Sequence, residues 1–375
     1  MQPIKRVTLV GLLLIALITP LLTSAQTSNQ ALIDSLYQRI VQLRAQIDLL
    51  KNQTSRPASI NGSIAGATSC SATEGIRLGS FDTAVSKDQL GTSVAISGNT
   101  ALMGAPGHPD GTISKAGVVY VAKQNGANWS TVQKLVAPDA TAYDGFGSSV
   151  GIDGDWAVIG APAGALDSLN GGSAYVYHFD GSNWIYQQKL VVSDRAKDDF
   201  FGFSVGISGQ TIVIGAFGKQ TYKGAAYAYR LNGSTWVFAQ TLTAPEAALY
   251  DSFGFAVDVS ENVMLISAIG SDVVASNSGS AYIYRFNGTT WAYSQKIWAS
   301  DGAASDNFGW SVAVDGANAV LGAPDDDDHG TSAGSTYVFH DSDSNWTQVT
   351  KLLASDGRPY DWFGRHVAIS GLGLL

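Results

Sequence analysis

Apolar positions follow three different periods along this chain. Val7 to Leu22 form a nearly continuous apolar run, preceded by Lys5 and Arg6 and followed by Thr23-Ser24-Ala25. A basic start, an apolar middle and a small-residue end are the layout of a cleavable secretory signal over residues 1–25. An uncleaved membrane anchor is the alternative. Pro20 and a run shorter than the ~20 residues of a span speak against it. Then Ile33, Leu36, Ile40, Leu43, Ile47 and Leu50 alternate spacings of three and four. That heptad seam, with Ile at a and Leu at d, predicts a coiled-coil helix over 26–53 and self-association through residues 31–51, favouring a parallel pair. A single amphipathic helix lying on the next domain is the other reading. Residues 54–74, with five Ser, Gly62, Gly66 and Pro57, read as a flexible linker. The linker holds Cys70, the chain's one cysteine, as a spectator thiol or an inter-chain bridge.

From residue 75 onward the period is that of short strands. Asp88-Gln-Leu-Gly91, Asp144-Gly-Phe-Gly147, Asp199-Phe-Phe-Gly202, Asp251-Ser-Phe-Gly254, Asp306-Asn-Phe-Gly309 and Asp361-Trp-Phe-Gly364 repeat one signature, their glycines 56, 55, 52, 55 and 55 residues apart. A fixed period of this size means a solenoid, a propeller or an array. Each unit reads as four strands. The first runs through Phe-Gly-x-Ser-Val, as at Phe146–Ile152. The second ends at Gly-Ala-Pro, as at Gly160–Pro162. The third is Gly-Ser-Ala-Tyr-Val-Tyr, as at Gly172–Tyr177. After an Asn/Asp-Gly turn, such as Asp180-Gly181, the fourth starts at Trp129, Trp184, Trp236, Trp291 or Trp346. Four antiparallel strands per ~50 residues are one propeller blade.

Composition narrows the partners. Charged residues are 14% of the chain, against roughly 25% in ordinary soluble domains. Net charge is −9, so a phosphate-binding surface and hence nucleic acid is a poor match. One cysteine excludes an internal disulfide framework and a cysteine-based zinc site.

The co-recurring Phe-Gly, Gly-Ala-Pro and Tyr-Val-Tyr motifs resemble the FG-GAP repeat of integrin α-subunit head domains and of many bacterial exported proteins. The resemblance covers residues 75–375. It implies an all-β chain, a β-propeller of four-stranded FG-GAP blades, five full and a truncated sixth, with an incomplete or distorted ring. Ile76-Arg77-Leu78-Gly79 resembles a further fourth strand. The third and fourth units depart from the pattern, with Gly215-Ala216-Phe217 and Ser267-Ala268-Ile269 in place of Gly-Ala-Pro, which reads as drift at the level of a strand. The implied role is an exported or cell-surface binding and adhesion module, not an enzyme, that recognises an extracellular protein through its loops. A glycan-binding propeller and a non-catalytic part of a larger extracellular enzyme are the alternatives.

Several columns carry candidate chemistry. The signature Asp recurs six times, and a second acid five residues earlier recurs as Asp139, Asp194, Glu246, Asp301 and Asp356. Such an Asp caps its own turn or helps hold a cation; repetition in every unit favours the cap. The resemblance implies calcium loops between first and second strands, but that link here is a short turn such as Ser208-Gly209-Gln210. The acidic loop Asp325–Asp328 is the exception by composition. Hard oxygens there suit Ca2+, with Asp325 and Asp327 as the better pair of metal ligands and a solvated turn as the alternative. Gly147-Ser-Ser149-Val-Gly151 and Gly202-Phe-Ser204-Val-Gly206 match a nucleophile pattern whose mechanics need a strand-turn-helix elbow, whereas these serines lie in strands. Lys123, His178, Arg230, Arg285 and His340 form a basic column, and Phe203, Phe255, Trp310 and Trp362 are aromatics confined to some units.

Overall fold

The computed structural model describes residues 87–163, 171–370 and 373–374. All of these residues belong to one compact unit, 75–375. The signal, the coiled-coil seam, the linker, Cys70 and Ile76–Gly79 lie outside the described residues.

Each full repeat closes into one four-stranded antiparallel sheet in which every strand pairs with its neighbour in sequence. Sheet one holds β1 Val94–Ser97, β2 Thr100–Ala105, β3 Val118–Asn125 and β4 Asn128–Leu135. Sheet two holds β5 Ser149–Asp153, β6 Trp156–Ala161, β7 Ser173–Phe179 and β8 Trp184–Leu190. Sheet three holds β9 Val205–Ser208, β10 Thr211–Ala216, β11 Ala225–Asn232 and β12 Thr235–Leu242. Sheet four holds β13 Phe253–Ser260, β14 Val263–Ala268, β15 Ser280–Phe286 and β16 Trp291–Ile297. Sheet five holds β17 Ser311–Asp315, β18 Asn318–Ala323, β19 Ser335–Ser342 and β20 Asn345–Leu352. A sixth repeat begins with β21 Ile369–Ser370, which pairs with β22 Gly373–Leu374. Almost no helix exists among the described residues. The four-residue turn α1, Lys219–Tyr222, has left-handed backbone at Gln220, Thr221 and Tyr222.

The first strands β1, β5, β9, β13, β17 and β21 run beside one another in that order, which makes them the inner edge of a propeller-like array. Each fourth strand is an outer edge. The register shifts once in every pairing of third with fourth strand, as between Val176 and Tyr177. Such a bulge adds twist and spoils the template an open edge offers to other chains.

The core lies between sheets rather than within them. Each of four clusters joins two consecutive sheets: Trp184 belongs to the first junction, Trp236 to the second, Trp291 to the third and Trp346 to the fourth. Their indole N–H groups find no hydrogen-bond partner, so buried ring area holds them. The signature Phe146, Phe201, Phe253 and Phe308 are fully buried in the same clusters.

Polar columns pin these junctions. Ser93 Oγ donates to the Gly147 carbonyl at 2.7 Å, Ser149 Oγ to Gly202 at 2.9 Å and Ser311 Oγ to Gly364 at 2.7 Å. The Gly of Gly-Ala-Pro leaves room for that carbonyl: a Cβ at Gly104, Gly160 or Gly322 would collide with Gly147, Gly202 or Gly364. Sheet four breaks this rule. Ser267 replaces the glycine, its Oγ accepts the Ala256 N–H at 2.9 Å, and the β13–β14 register shifts between Phe253 and Val257. The departure at Ser267 is therefore a rebuilt strand entry, beyond simple drift.

Candidate functional site: the loop face

Up-and-down order puts two sets of links on each end of the sheets. One end carries the tight first-to-second and third-to-fourth turns. The other carries the second-to-third loops and the Asp-x-aromatic-Gly loops that lead into the next sheet. These two loop sets are tied together: Gly107, Ala163, Gly218 and Gly270 donate their N–H groups to the carbonyls of Asp88, Asp144, Asp199 and Asp251.

The signature Asp is a cap. Asp144, Asp199, Asp251, Asp306 and Asp361 each accept the backbone N–H of the residue three before, at 2.6–2.8 Å. The turn is so tight that the residues on both sides of the Asp have positive φ. Tyr143, Asp198, Tyr250, Ser305 and Tyr360 precede it; Phe200, Ser252, Asn307 and Trp362 follow it. Left-handed backbone is uncommon for bulky side chains and persists only where surrounding bonds over-determine it. Burial pushes the Asp306 carboxyl up to about 6, against the Ala303 N–H bond.

The second acidic column pairs with lysines. Asp139 meets Lys189 at 2.6 Å and the Tyr175 hydroxyl at 2.8 Å, beside a recess of ≈ 100 Å³ that Asp144 and Thr141 also line. Glu246 meets Lys296 at 3.0 Å and Asp301 meets Lys351 at 2.8 Å. Sheet three has Thr241 where the others have lysine, and Lys219 from α1 supplies the charge instead. Lys219 lies 2.9 Å from Asp199 and 3.1 Å from Asp194. Burial works against the Asp139 carboxylate, but Lys189 and Tyr175 outweigh it and hold its pKa below the ordinary value. Asp199 is as buried as Lys219, but for the second acidic column the lysine is the deeper partner. Side-chain exposure is 9% for Lys219 against 60% for Asp194, 16% for Lys296 against 51% for Glu246, and 14% for Lys351 against 42% for Asp301. The surface of the pair is its negative side.

The acidic loop of sheet five is organised by the same lysine. Lys351 contacts buried Asp326 at 2.8 Å and exposed Asp328 at 2.5 Å, and Asp326 also accepts the Tyr337 hydroxyl at 2.8 Å. Burial opposes ionisation of Asp326, yet Lys351 and Tyr337 hold its pKa below the ordinary value. Asp325 accepts Asn307 Nδ2 at 2.8 Å, and Asp327 accepts the Ser332 N–H at 2.6 Å. Asp325 and Asp327 are thus engaged apart from one another. Among the described residues no three His, Cys, Asp or Glu side chains are grouped as a bound metal requires.

Other columns are junction parts. Three members of the basic column reach the following sheet, with Lys123 Nζ 3.7 Å from the Phe179 ring centre, Arg230 4.5 Å from Phe286 and Arg285 paired with Asp341 at 2.6 Å, while His178 and His340 contact Trp156 and Asn318 of their own sheets. The Ser149 hydroxyl of the nucleophile-like pattern is spent on Gly202, and Ser204 Oγ accepts the Val257 N–H at 3.0 Å. A device the motif search missed is a glutamine clasp. Gln133, Gln188, Gln240 and Gln295 each donate to and accept from the backbone of the next sheet's Trp, at 2.8–2.9 Å. Its signal was present as a Gln four residues after each Trp of the first four repeats.

One feature does not repeat. The residue after the signature Gly is Thr92, Ser148, Phe203, Phe255, Trp310 and Arg365 in turn. Phe203 and Phe255 have ring centres 5.1 Å apart, and Phe255 and Trp310 5.0 Å apart. Phe217, which stands where Pro closes Gly-Ala-Pro elsewhere, packs against Phe203, Phe255 and Phe200. All five rings are half-buried. Phe217 is therefore the hub of an aromatic arc across sheets three to five, and its departure from the motif has a packing consequence.

No curated protein matches the sequence. A solved structure of a putative 6-phosphogluconolactonase from Bacteroides fragilis is similar at 9% identity, with a TM-score of 0.48, over 70% of this chain and 71% of that one. That degree of likeness assigns neither substrate nor activity. The FG-GAP repeat matches residues 82–122, 129–177, 184–229, 236–284, 291–339 and 346–375. With the Phe-Gly, Gly-Ala-Pro and Trp columns each placed at a junction between sheets, the chain belongs to the FG-GAP repeat family.

Proposed function

We propose that this protein is an exported recognition module whose loop face binds a protein partner outside the cytoplasm, presented on the self-associating stem of residues 31–51. The observation that carries the reading is the division of labour between columns. The recurring Trp, Phe and Gly-Ala-Pro columns are consumed in holding sheets together, while Phe203, Phe255 and Trp310, which stand where other units have Thr, Ser or Arg, lie at the loop end of their strands. Specificity usually resides in variable loops on a rigid scaffold. The basic n-region and apolar run before residue 25 support export, and the Ile/Leu seam supports association.

A photo-cross-linking side chain at Tyr143 or Tyr360, both exposed on the loop face, tests the reading. Ser182 and Ser234, exposed in the opposite turns, are the controls. Protease-sensitive adducts are expected from the loop face of the exported chain and not from the opposite turns. Adducts distributed equally over both ends, or adducts that resist protease and yield to glycosidases, would overturn it.

A further inference from the structure

Two independent features of the loop face point to the same kind of ligand. The first is the aromatic arc. Phe203, Phe255 and Trp310 occupy one column at the entry to three successive inner strands, half-buried and in ring contact, with Phe217 packed on two of them. The same column holds Thr92 and Ser148 in the first two repeats, so the scaffold does not require an aromatic there. Three of the four rings are phenylalanine and carry no polar handle. The nearby polar groups are committed: Asn307 Nδ2 donates to Asp325 and to the Ser305 carbonyl, and Ser204 Oγ accepts the Val257 N–H. Such a surface rewards an apolar side chain and offers little to the hydroxyls of a sugar.

The second feature is the polarity of the ion pairs on the loop face of the same sheets. In sheets three, four and five each lysine has an exposed carboxylate outside it, at 60% for Asp194, 51% for Glu246 and 60% for Asp328, while Asp199 and Asp326 lie buried beside the lysines of sheets three and five. The loop face of these sheets therefore meets an approaching ligand with exposed carboxylates and favours a positively charged one.

We propose that the aromatic arc of sheets three to five is the docking site for a basic protein segment that inserts an apolar anchor residue between its lysine or arginine side chains. The proposal rests on the loop-face reading above and narrows it to one patch and one chemistry. Apolar insertion supplies the affinity, and the exposed carboxylates of the same face supply orientation and speed of encounter.

Three synthetic eleven-residue peptides test it against the full mature chain by calorimetric titration. One has a leucine core with lysine flanks, one the same core with glutamate flanks, and one a serine core with lysine flanks. The lysine-flanked leucine peptide alone is expected to bind, and more weakly as salt is raised. Phe203→Ser combined with Phe255→Ser is expected to weaken it at least tenfold. Serine is the residue that Ser148 places in this column. Trp310→Thr, after Thr92, is a second variant that keeps the test decisive if the double variant melts early. Equal binding of the glutamate-flanked or serine-core peptide, failure of all three, or indifference to both variants overturns the proposal. So does a glycan array whose hits vanish in the variants. Persisting adducts at Tyr143 and Tyr360 in any of those cases would leave the loop-face reading standing while this patch falls.

Discussion

Sheets one and three are built from nearly the same pattern, yet one lies open where the other is sealed. Val94 and Ile96 of β1 are 69% and 62% exposed, whereas Val205 and Ile207 at the same places in β9 are 8% and 9% exposed. Trp129 is half-buried while Trp236 is 1% exposed. Nothing in the local pattern distinguishes these positions. The difference is the neighbour: sheet three packs against sheet two, and the described residues place no sheet before sheet one. Apolar burial is roughly proportional to the area a partner covers, so an identical side chain contributes differently in the two places.

The sharpest way to break the comparison is to remove the ring at each place. Trp236→Ala is expected to cost about 3–5 kcal/mol, the range for a large aromatic lost from a core. Trp129→Ala is expected to cost less than half of that, and urea melts of the two variants check it. Equal losses would mean that sheet one has a covering partner. Trp236→Phe is expected to be far milder than Trp236→Ala, because the indole N–H has no bond to lose.

A smaller effect distinguishes the acidic loop of sheet five from the simpler pairs of sheets two and four. Lys351 faces Asp301, Asp326 and Asp328, while Lys189 and Lys296 each face a single acid in an ion pair. Lys351→Met leaves three carboxylates without their cation and is expected to cost about 2–3 kcal/mol, close to the range for breaking a buried pair. Lys189→Met is expected to cost about 1 kcal/mol or less, since its pair is more open to solvent. Millimolar calcium is expected to restore part of the loss in Lys351→Met and to raise the melting temperature of the parent only slightly. No calcium effect on the variant would show that this loop has no affinity for the ion.

Sheet four invites a pH test. Asp258 stands where Ala95, Gly151, Gly206, Ala313 and Ala368 stand in the other first strands. Its carboxylate reaches across to sheet five, with Oδ2 accepting the Val314 N–H at 2.8 Å and Oδ1 the Val259 N–H at 2.8 Å. Burial pushes its pKa up to about 6, with Asp315 adding a smaller push in the same direction. A carboxyl whose folded pKa is raised contributes most when protonated, and that contribution falls as pH rises from about 4 through about 6. Asp258→Ala is therefore expected to gain on the parent by about 1–2 kcal/mol between pH 4 and pH 8. A constant difference across that range would show that the hydrogen bonds, and not desolvation, dominate.

The smallest expected effect closes the comparison. Val94→Thr with Ile96→Thr is expected to change stability by no more than about 0.5 kcal/mol, as for ordinary surface sites. The same pair of changes at Val205 and Ile207 is expected to cost several times more.

Much of the repeat could be read from the chain because each unit solves the same packing problem with the same residues. The Trp, Phe-Gly and Gly-Ala-Pro columns, the Asp caps and the Asn/Asp-Gly turns all lie where spacing puts them. The glutamine clasp escaped notice because its partner is a backbone about 50 residues away, and a motif search reads side chains. Lys219 was invisible for a similar reason: it replaces a strand lysine from a left-handed turn in another part of the same sheet. Phe217 and Ser267 read as drift until their neighbours were known. One is the hub of the aromatic arc, and the other rebuilds a strand entry.

The chain by itself determined its all-β repeat, its strand order and the positions that pack, because strand periodicity and turn chemistry act over a few residues. Only the tertiary structure decided which of those positions are buried, which carboxylates are tied to a lysine and which aromatics meet. Those outcomes depend on what lies against a residue from another sheet, and contact, desolvation and charge pairing act through space without regard to distance along the chain.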